Sequence, residues 1–351
     1  MDIEKLLREA VTRRASDLHL TVGVEPIVRV NGSLGKLEYP LLTVEDTRQL
    51  LDSFLPQDRR TLFLEKGEVD FSHTIFGLSR FRVNAFRQRG SVAIAIRLIP
   101  ERVPGIAELH LPGILRDLAR KPRGLVLVTG PTGSGKSTTM AAMIDLINNE
   151  RACNILTLED PIEYLHRHKM SMVNQREIGS DSLSFANALR AALREDPAVI
   201  LIGEMRDMET VSIAVQAAET GHLVLATLHT SDAVQTVDRI IDVFPPYQQQ
   251  QVRTQLSLAL QGIVAQQLLP RRDGGGRVVA VETMISTPAT RNLIREGKSH
   301  QLLSVIQTGA KFGMQSMDSA LRDLCRQGTI SEEEAFSRTS DPENLQRLLK
   351  G

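Results

Sequence analysis

The first hundred residues combine one helical hydrophobic pattern with several strand-like patterns. Apolar residues recur between positions 3 and 14 at the three-to-four-residue spacing of an amphipathic helix. A strand is predicted near residues 17–22, and PIVRVNGSLGKLE predicts a hairpin because Asn31-Gly32 can supply the positive φ angles of a tight turn. Apolar and polar residues then alternate from Val69 to Ile99. The pattern predicts a small α+β domain that ends near residue 100.

The pattern changes after that domain. The stretch ERVPGIAELHLPG is rich in proline and glycine and predicts a linker over residues 101–115. Strands that are apolar throughout then alternate with helices, which predicts a parallel sheet covered on both faces. From about residue 232 the chain is predicted to be mainly helical, with one strand at VVAVETMI. Thr43 with Asp46, and Ser331 with Glu334, predict capping boxes at two helix starts.

Composition narrows the class of protein. A chain of 351 residues is expected to form two domains, and it holds no run of roughly 20 apolar residues that could span a bilayer. The N-terminus lacks a signal-peptide pattern, so we expect a cytoplasmic protein. Lys plus Arg and Asp plus Glu both total 42, and Trp is absent, which argues against a nucleic-acid binder. The two cysteines, Cys153 and Cys325, exclude a four-cysteine zinc site.

A glycine-rich loop gives the strongest chemical signal. GPTGSGKS, residues 130–137, satisfies the G-x-x-x-x-G-K-[ST] pattern and lies between a predicted strand and a predicted helix, so a fortuitous glycine loop is the weaker interpretation. Such a loop points backbone N–H groups at phosphates, Lys136 neutralises β/γ charge, and Ser137 reaches Mg²⁺. ATP or GTP binding is therefore predicted. The predicted nucleotide-binding residues are Thr132, Gly133, Ser134, Gly135, Lys136, Ser137 and Thr138.

Carboxylates follow two of the predicted strands. Glu204 comes just after the buried strand VILI, where it could hold Mg²⁺ or orient the attacking water; the alternative is an ordinary surface carboxylate. LEDPIEY places Glu159, Asp160 and Glu163 at the end of another strand, where one carboxylate could act as a general base. A charged turn is the alternative for this stretch.

Histidines and arginines supply further candidates. His222 and His229 lie at opposite ends of one predicted strand, about 23 Å apart, so they cannot both touch one phosphate. His229 is the better candidate for sensing the γ-phosphate, and a structural role is equally plausible for His222. Arg80 and Arg82 are expected on the same face of one predicted strand, and Arg97 lies on the next. Two arginines of this small domain could act as an arginine finger across a subunit interface; a solvated basic strand face is the alternative.

Together these motifs resemble the secretion ATPase superfamily, and within it the branch of type IV pilus retraction ATPases. ASDLHL is similar to the family's N-terminal signature, GPTGSGKS to its Walker A motif and LEDPIEY to its Asp box. IGEMRD resembles its Walker B motif, which bears Glu in place of Asp, and TGHLVLATLHT resembles its His box. The segment GMQSMD is similar to the same branch, so the resemblance covers essentially the whole chain.

The resemblance implies an α/β fold with a PAS-like α+β domain over residues 1–100 and the linker over 101–115. It further implies a RecA-like ATPase core over 116–280 and a mainly helical region over 281–351. It implies Mg²⁺-dependent ATP hydrolysis by a homohexamer that lies at the inner face of the cytoplasmic membrane and acts on an inner-membrane pilus platform protein, without zinc or nucleic acid.

The resemblance also implies residue roles. Glu163 matches the catalytic base, Glu204 the Mg²⁺/water residue, and His222 and His229 the His-box pair. Arg82 and Arg97 match arginines that reach a neighbour's γ-phosphate. Residues 289–296 are similar to the branch's retraction motif AIRNLIRE, with Thr290 in place of Ile. The matching motif residues at its core are Ala289, Arg291, Asn292 and Leu293.

Several rivals stay open at this point. An assembly or secretion ATPase of the same superfamily is expected to carry a further N-terminal domain and a four-cysteine insertion. An accessory retraction ATPase shares all the same motifs. A RecA-like nucleic-acid motor and a scaffold that binds ATP but barely hydrolyses it are the rivals from other classes, and measured turnover and DNA binding separate them.

Overall fold

The computed structural model describes residues 1–30, 32–100 and 102–350. The predicted α/β class is confirmed: helices accompany two separate sheets. The chain divides into one compact unit of Met1–Arg102 with Glu163–Leu165 and a second of Val103–Ile162 with His166–Gly351. Within the described ranges, none of the helices combines the length and the apolar character needed to cross a bilayer.

The first unit is built on an antiparallel sheet of six strands in the order β3-β2-β1-β6-β5-β4. Its core is formed by the apolar faces of its helices and by the inward-facing residues of the strands, as the alternation along the strands predicts. Its strands are β1 (Asp17–Leu20), β2 (Ile27–Val30), β3 (Ser33–Lys36), β4 (Glu68–Ile75), β5 (Ser79–Gln88) and β6 (Ser91–Ile99). Its helices are α1 (Ile3–Thr12), α2 (Val44–Phe54) and α3 (Gln57–Lys66).

The predicted hairpin and the predicted caps have mixed outcomes. β2 and β3 pair as an antiparallel hairpin, and Gly32 has φ +84°; Asn31, the other predicted turn residue, lies outside the described residues. Thr43 and Asp46 form the predicted capping box at α2. At Ser331 only half of the predicted box is found, because Ser331 Oγ accepts from the Glu334 N–H while the Glu334 carboxylate pairs with Arg338.

The second unit contains a seven-stranded sheet in the order β13-β12-β7-β11-β10-β8-β9, parallel except for β13. Its strands are β7 (Gly124–Thr129), β8 (Asn154–Glu159), β9 (Met172–Glu177), β10 (Val199–Ile202), β11 (Leu223–Leu228), β12 (Leu260–Pro270) and β13 (Arg277–Ile285). Its helices up to β12 are α4 (Ile114–Ala119), α5 (Lys136–Glu150), α6 (Phe185–Ala192), α7 (Met208–Glu219), α8 (Ala233–Asp242) and α9 (Pro246–Ala259). After β13 follow α10 (Pro288–Arg295), α11 (Leu302–Thr308), α12 (Met317–Arg326), α13 (Glu332–Arg338) and α14 (Pro342–Lys350), with short 3-10 turns at Ser299–Gln301 and Ala310–Phe312.

Burial on both faces of the central strands explains their unbroken apolar sequences. Every residue of β7 and β11 is buried. Leu125 and Leu127 of β7 contribute to the core on one face of the sheet, while Val126 and Val128 contribute to the core on the other. Because parallel strands end at the same edge of a sheet, the segments that follow β7, β8, β10 and β11 all emerge there.

The prediction of a single strand after residue 232 was wrong. β12 is a second strand, and its sequence LQGIVAQQLLP does not alternate because β7 and β13 pair with it on both sides and helices cover its faces. The boundary expected at residue 280 falls inside β13. The predicted linker also differs, since Ile106 and Leu111 are buried against the core of the second unit and α4 begins at Ile114.

Candidate nucleotide site

The glycine-rich loop joins β7 to α5. Gly130 has φ +140°, and a Cβ placed on it would lie 2.3 Å from the Gln266 carbonyl oxygen, so only glycine fits there. Gly133 and Gly135 also have positive φ, but no heavy atom lies within 4 Å of the position of a Cβ. Gly135 caps α5 without a side-chain hydrogen bond, which leaves the positive end of the helix facing the loop.

The loop contains a cation and a hydroxyl suited to phosphate. Lys136 is only 9% exposed, and its Nζ donates to the carbonyl oxygens of Gly130 at 2.8 Å and Pro131 at 3.0 Å. Ser134 Oγ is buried and has no hydrogen-bond partner among the described residues. An open glycine cradle, a helix N-terminus, an ammonium group and an unpaired buried hydroxyl together fit the triphosphate of a nucleotide.

A row of contacting side chains runs from Lys136 through His229 and Glu204 to Arg206. Its Nζ lies 3.5 Å from His229 Nδ1, and His229 Nε2 lies 3.1 Å from Glu204 Oε1. Glu204 Oε2 pairs with Arg206 at 2.7 Å. Burial alone would raise the pKa of Glu204, but the Arg206 hydrogen bond and the neighbouring His229 outweigh it, so the pKa lies below its ordinary value. Glu204 is therefore held as a carboxylate beside the loop.

Backbone contacts fix the position of Glu204. The Gly203 N–H donates to Leu158 O at 2.7 Å, and a Cβ on Gly203 would lie 3.1 Å from that same oxygen. On the other side, the Met205 N–H donates to Thr227 O at 3.1 Å, and Thr227 Oγ1 donates to Gly203 O. The glycine before Glu204 thus allows the end of β10 to lie tightly between the ends of β8 and β11.

The acidic residues at the end of β8 and just after it have different surroundings. Glu159 Oε1 accepts from Thr157 Oγ1 at 2.6 Å and from Gln175 Nε2 at 3.1 Å. Asp160 is exposed and precedes a cis proline peptide. The pKa of Arg206 is raised first by Glu204, and Asp160 adds to the effect. Glu163 is exposed and belongs to the short segment grouped with the first unit.

The two predicted histidines have different surroundings. His229 follows β11 beside Lys136 and Glu204, as described above. His222 precedes β11 at the other end of the strand, and its Nδ1 lies 2.9 Å from Ala217 O near the end of α7. This contact favours the structural interpretation of His222.

Within the first unit, Arg82 and Arg97 are direct cross-strand neighbours on β5 and β6. Arg97 Nε lies 3.0 Å from Asp17 Oδ1, and Arg82 Nε lies 4.0 Å from Asp70 Oδ1. Burial would raise the pKa of Asp17, but hydrogen bonds from Ser16 and Arg97 and the charge of Arg97 lower it below its ordinary value. Both arginine side chains stay exposed, at 45% and 69%, so two guanidinium groups face solvent side by side.

The residues at 289–293 lie on α10. Ala289 is exposed, and the Asn292 side chain bonds to Glu296 and Arg295 on the helix surface. Thr290, the departure from the expected motif, is fully buried and completes a capping box with Thr287, whose N–H donates to Thr290 Oγ1 at 2.7 Å. A polar residue at position 290 thus has a local structural role.

Sequence reasoning missed two residues near the loop. Arg206, which pairs with Glu204, stands two positions after it inside the quoted motif IGEMRD, so the adjacency was a usable signal. Gln266 is fully buried on β12, and its Nε2 donates to Thr139 Oγ1 on α5 at 2.8 Å. No sequence signal marked Gln266, because the strand that carries it was predicted as helix.

Comparison with known proteins gives consistent results. The family model described as type II/IV secretion system protein matches residues 1–337. The chain is 49% identical to the type IV pilus retraction ATPase PilT of Pseudomonas aeruginosa over 98% of this chain and 100% of that one. It is 44% identical to the type IV pilus ATPase PilU of the same organism, over 100% and 92% of the two chains. A crystal structure of the pilus retraction motor PilT with bound ADP superposes with a TM-score of 0.92 at 51% identity, covering 99% of both chains.

Proposed function

Because the chain belongs to the type II/IV secretion system protein family and is an ATPase, we propose that it is the hexameric motor that powers retraction of type IV pili. The observation that carries the proposal is the 49% identity to a retraction ATPase over 98% of the chain. The charged residues beside the glycine loop supply the chemistry that such a motor needs.

The substrate in this proposal is MgATP. The loop amides and the start of α5 bind the phosphates, and Lys136 leaves its carbonyl partners to contact the β- and γ-phosphates. Ser137 and Glu204 hold Mg²⁺, with Glu204 acting directly or through water. Glu159 and Asp160, at the end of β8, have a supporting role beside the site and do not bind the nucleotide directly. The residues that bind the nucleotide are Thr132, Gly133, Ser134, Gly135, Lys136, Ser137 and Thr138.

In hydrolysis, water attacks the γ-phosphorus, the bond from that phosphorus to the β–γ bridging oxygen breaks, and ADP and phosphate are the products. Glu163 accepts the proton of that water, and His229 senses the γ-phosphate from its position between Lys136 and Glu204. Since charge grows on the phosphate oxygens during transfer, cations aimed at them lower the barrier.

Arg82 and Arg97 provide those further cations, from the small domain of a neighbouring subunit. Their exposed guanidinium groups stand side by side, and Asp17 pairs with only one of the two. A pair of arginines in this arrangement suits bidentate contact with a phosphate.

The partner is an inner-membrane pilus platform protein at the cytoplasmic face of the membrane. In this proposal, phosphate release changes the angle between the PAS-like and RecA-like domains, and sequential closure around the hexamer drives the platform protein. Ala289, Arg291, Asn292 and Leu293 on α10 transmit force to it, with no part in hydrolysis. The proposed domains are a PAS-like domain over residues 1–100 and a RecA-like ATPase domain that includes α4 and the whole of β13, followed by the C-terminal helices α10 to α14.

An accessory retraction ATPase is the second candidate, since the similarity to PilU also spans the whole chain. One experiment separates the candidates: pilus dynamics followed by fluorescence in cells whose only retraction ATPase is this protein, as wild type or Lys136→Ala. Retraction with the wild type and permanently extended pili with the variant support the main motor. Failure of pili to assemble with the variant would indicate an assembly motor, and no effect of either form would indicate an accessory role.

A further inference from the structure

Glu282 on β13 is a buried carboxylate outside the proposed catalytic set, and it is only 4% exposed. Its Oε1 accepts from the Ala233 N–H at 2.9 Å, and its Oε2 accepts from the Met317 N–H at 3.3 Å. Ala233 and Met317 are the first residues of α8 and α12. One carboxylate therefore bonds to the starts of two helices, where unpaired amides and the helix dipole favour negative charge.

These bonds add to the local caps of both helices. Asp232 accepts from the Gln235 N–H at 2.8 Å at the start of α8, and Ser316 accepts from the Ser319 N–H at 3.3 Å at the start of α12. Each helix thus has its own N-cap. Glu282 has a different role from these caps, because its two hydrogen bonds hold both helix starts at the same point on β13.

The start of α8 is bonded to the nucleotide site. Thr236 Oγ1 lies 2.7 Å from Thr230 Oγ1, in the residue that follows His229. The same hydroxyl lies 3.5 Å from Thr129 Oγ1, in the last residue of β7 before Gly130. A shift of the first turn of α8 would therefore alter the contacts of Thr230, which follows His229, and of Thr129, which precedes the glycine loop.

The start of α12 lies within the segment GMQSMD, residues 313–318, to which the proposed mechanism gives no role. Within it, the Gln315 N–H donates to Thr283 Oγ1 at 3.1 Å, and Gln315 Nε2 donates to Val281 O at 2.6 Å. Asp318 accepts from Thr339 Oγ1 at 2.6 Å and from Asn344 Nδ2 at 2.8 Å. The segment thus connects β13 to the last helices of the chain.

We propose that Glu282 is a positioning residue for ATP hydrolysis: it connects the GMQSMD segment and the C-terminal helices to the start of α8, and through α8 to His229 and the glycine loop. Its hydrogen bonds run to Ala233 and Met317, which are not among the residues proposed to bind the nucleotide or the metal. The inference rests on the proposed role of His229 at the γ-phosphate.

The ionisation of Glu282 predicts a pH dependence of turnover that can be measured. The pKa of its carboxyl is raised to about 7, mainly by burial. The charges of Asp232 on α8 and Asp318 on α12 also raise this pKa, and the hydrogen bonds from the two backbone amides lower it. Protonation turns one of the two acceptor oxygens into an O–H donor. That oxygen then accepts a hydrogen bond from the backbone N–H less well. Turnover should therefore fall as pH drops through about 7 for a reason specific to Glu282.

The test is Glu282→Gln, which keeps the shape of the side chain and removes the charge. Mutation of a group that orients a metal ligand typically lowers activity about 10- to 100-fold. By analogy we expect the lower end of that range here, a kcat about tenfold lower. The KM for ATP should change less than about threefold, because no phosphate contact is lost. The wild-type decline in kcat near pH 7 should be missing from the variant, which behaves as the permanently neutral form.

Two further variants separate positioning from stability. Leu189→Ala on α6 opens a cavity in the core of the second unit, on a helix that packs against α7 and β8 and holds neither partner of Glu282, so its kcat should stay at the wild-type value. Thr236→Val removes the contacts of α8 with Thr230 and Thr129 while leaving Glu282 in place, and should lower kcat as Glu282→Gln does.

Wild-type kcat with an intact pH decline in Glu282→Gln would overturn the proposal. So would wild-type kcat in Thr236→Val, or an equal loss of kcat in Leu189→Ala at matched thermal stability. Failure of the proposed motor function is seen separately, as pili that do not retract although the ATPase responds to Glu282→Gln as expected.

Discussion

Gly130→Ala tests the close approach of the glycine loop to β12. An alanine Cβ would lie 2.3 Å from the Gln266 carbonyl oxygen, whereas a carbon and a carbonyl oxygen normally stay about 3.3 Å apart. The loop or the strand must then move by about 1 Å. The backbone at φ +140° adds strain of about 1–3 kcal/mol for any residue with a Cβ, and overpacking adds about 1–3 kcal/mol more.

Gly221→Ala is the matched control. Gly221 has φ +123°, and no heavy atom lies within 4 Å of its Cβ position, so alanine there carries the backbone strain alone. We therefore expect Gly130→Ala to be the less stable variant by about 1–3 kcal/mol, or roughly 2–12 °C in Tm for a unit of this size. Because a displacement of about 1 Å at a reacting site can cost about 100-fold, turnover should fall on that scale in Gly130→Ala only.

The assays are thermal unfolding followed by circular dichroism, titration with a fluorescent ATP analogue, and steady-state ATP hydrolysis. Both variants should remain folded at room temperature. If Gly130→Ala unfolded at the same temperature as Gly221→Ala and hydrolysed ATP at the wild-type rate, the close contact between Gly130 and Gln266 would play no part in forming the site.

Three further changes test other parts of the account. Glu204→Gln should keep nucleotide binding and lower kcat by at least about 100-fold, whereas Glu209→Gln, at an exposed ion pair, should not; steady-state kinetics with equal losses would argue against a specific role. Thr290→Val removes a buried capping hydroxyl and should lower the unfolding free energy by about 1 kcal/mol with unchanged hydrolysis, and an unchanged Tm would contradict the cap. Because the pKa of Asp17 is lowered in the folded protein, its ionised pair with Arg97 stabilises the fold above about pH 4 and is lost as pH falls further, so Asp17→Asn should cost up to about 1 kcal/mol at pH 7 and less at pH 3. A cost that stayed constant in thermal unfolding at both pH values would show that the charge is not its cause.

Much of the site was predictable because its signals are local. The glycine loop, Glu204 and His229 each follow an apolar strand in the sequence, and parallel strands bring such positions to one edge of the sheet. The same reasoning separated His222 from His229, since the two flank a single strand of known rise per residue.

What the sequence did not predict depends on contacts between distant segments. β12 was missed because its glutamines break the expected pattern, and their surroundings are set by β7, β13 and α5. Glu282 carries no local sign of its proposed role, because its two hydrogen-bond partners lie 49 and 35 positions away in the chain. Thr290 departs from the expected motif, and only its hydrogen bond with Thr287 explains why a polar residue suits this position.

The most direct test of the central claim is to compare the retraction speed of fluorescently labelled pili with ATP turnover in a series of variants. The series is wild type, Thr236→Val, Glu282→Gln and Lys136→Ala, each expressed at equal level as the only retraction ATPase in the cell and each assayed for kcat as purified protein. If hydrolysis at the glycine loop powers retraction, speed should fall in step with kcat and reach zero for Lys136→Ala. Retraction at wild-type speed in cells carrying Lys136→Ala would contradict the account.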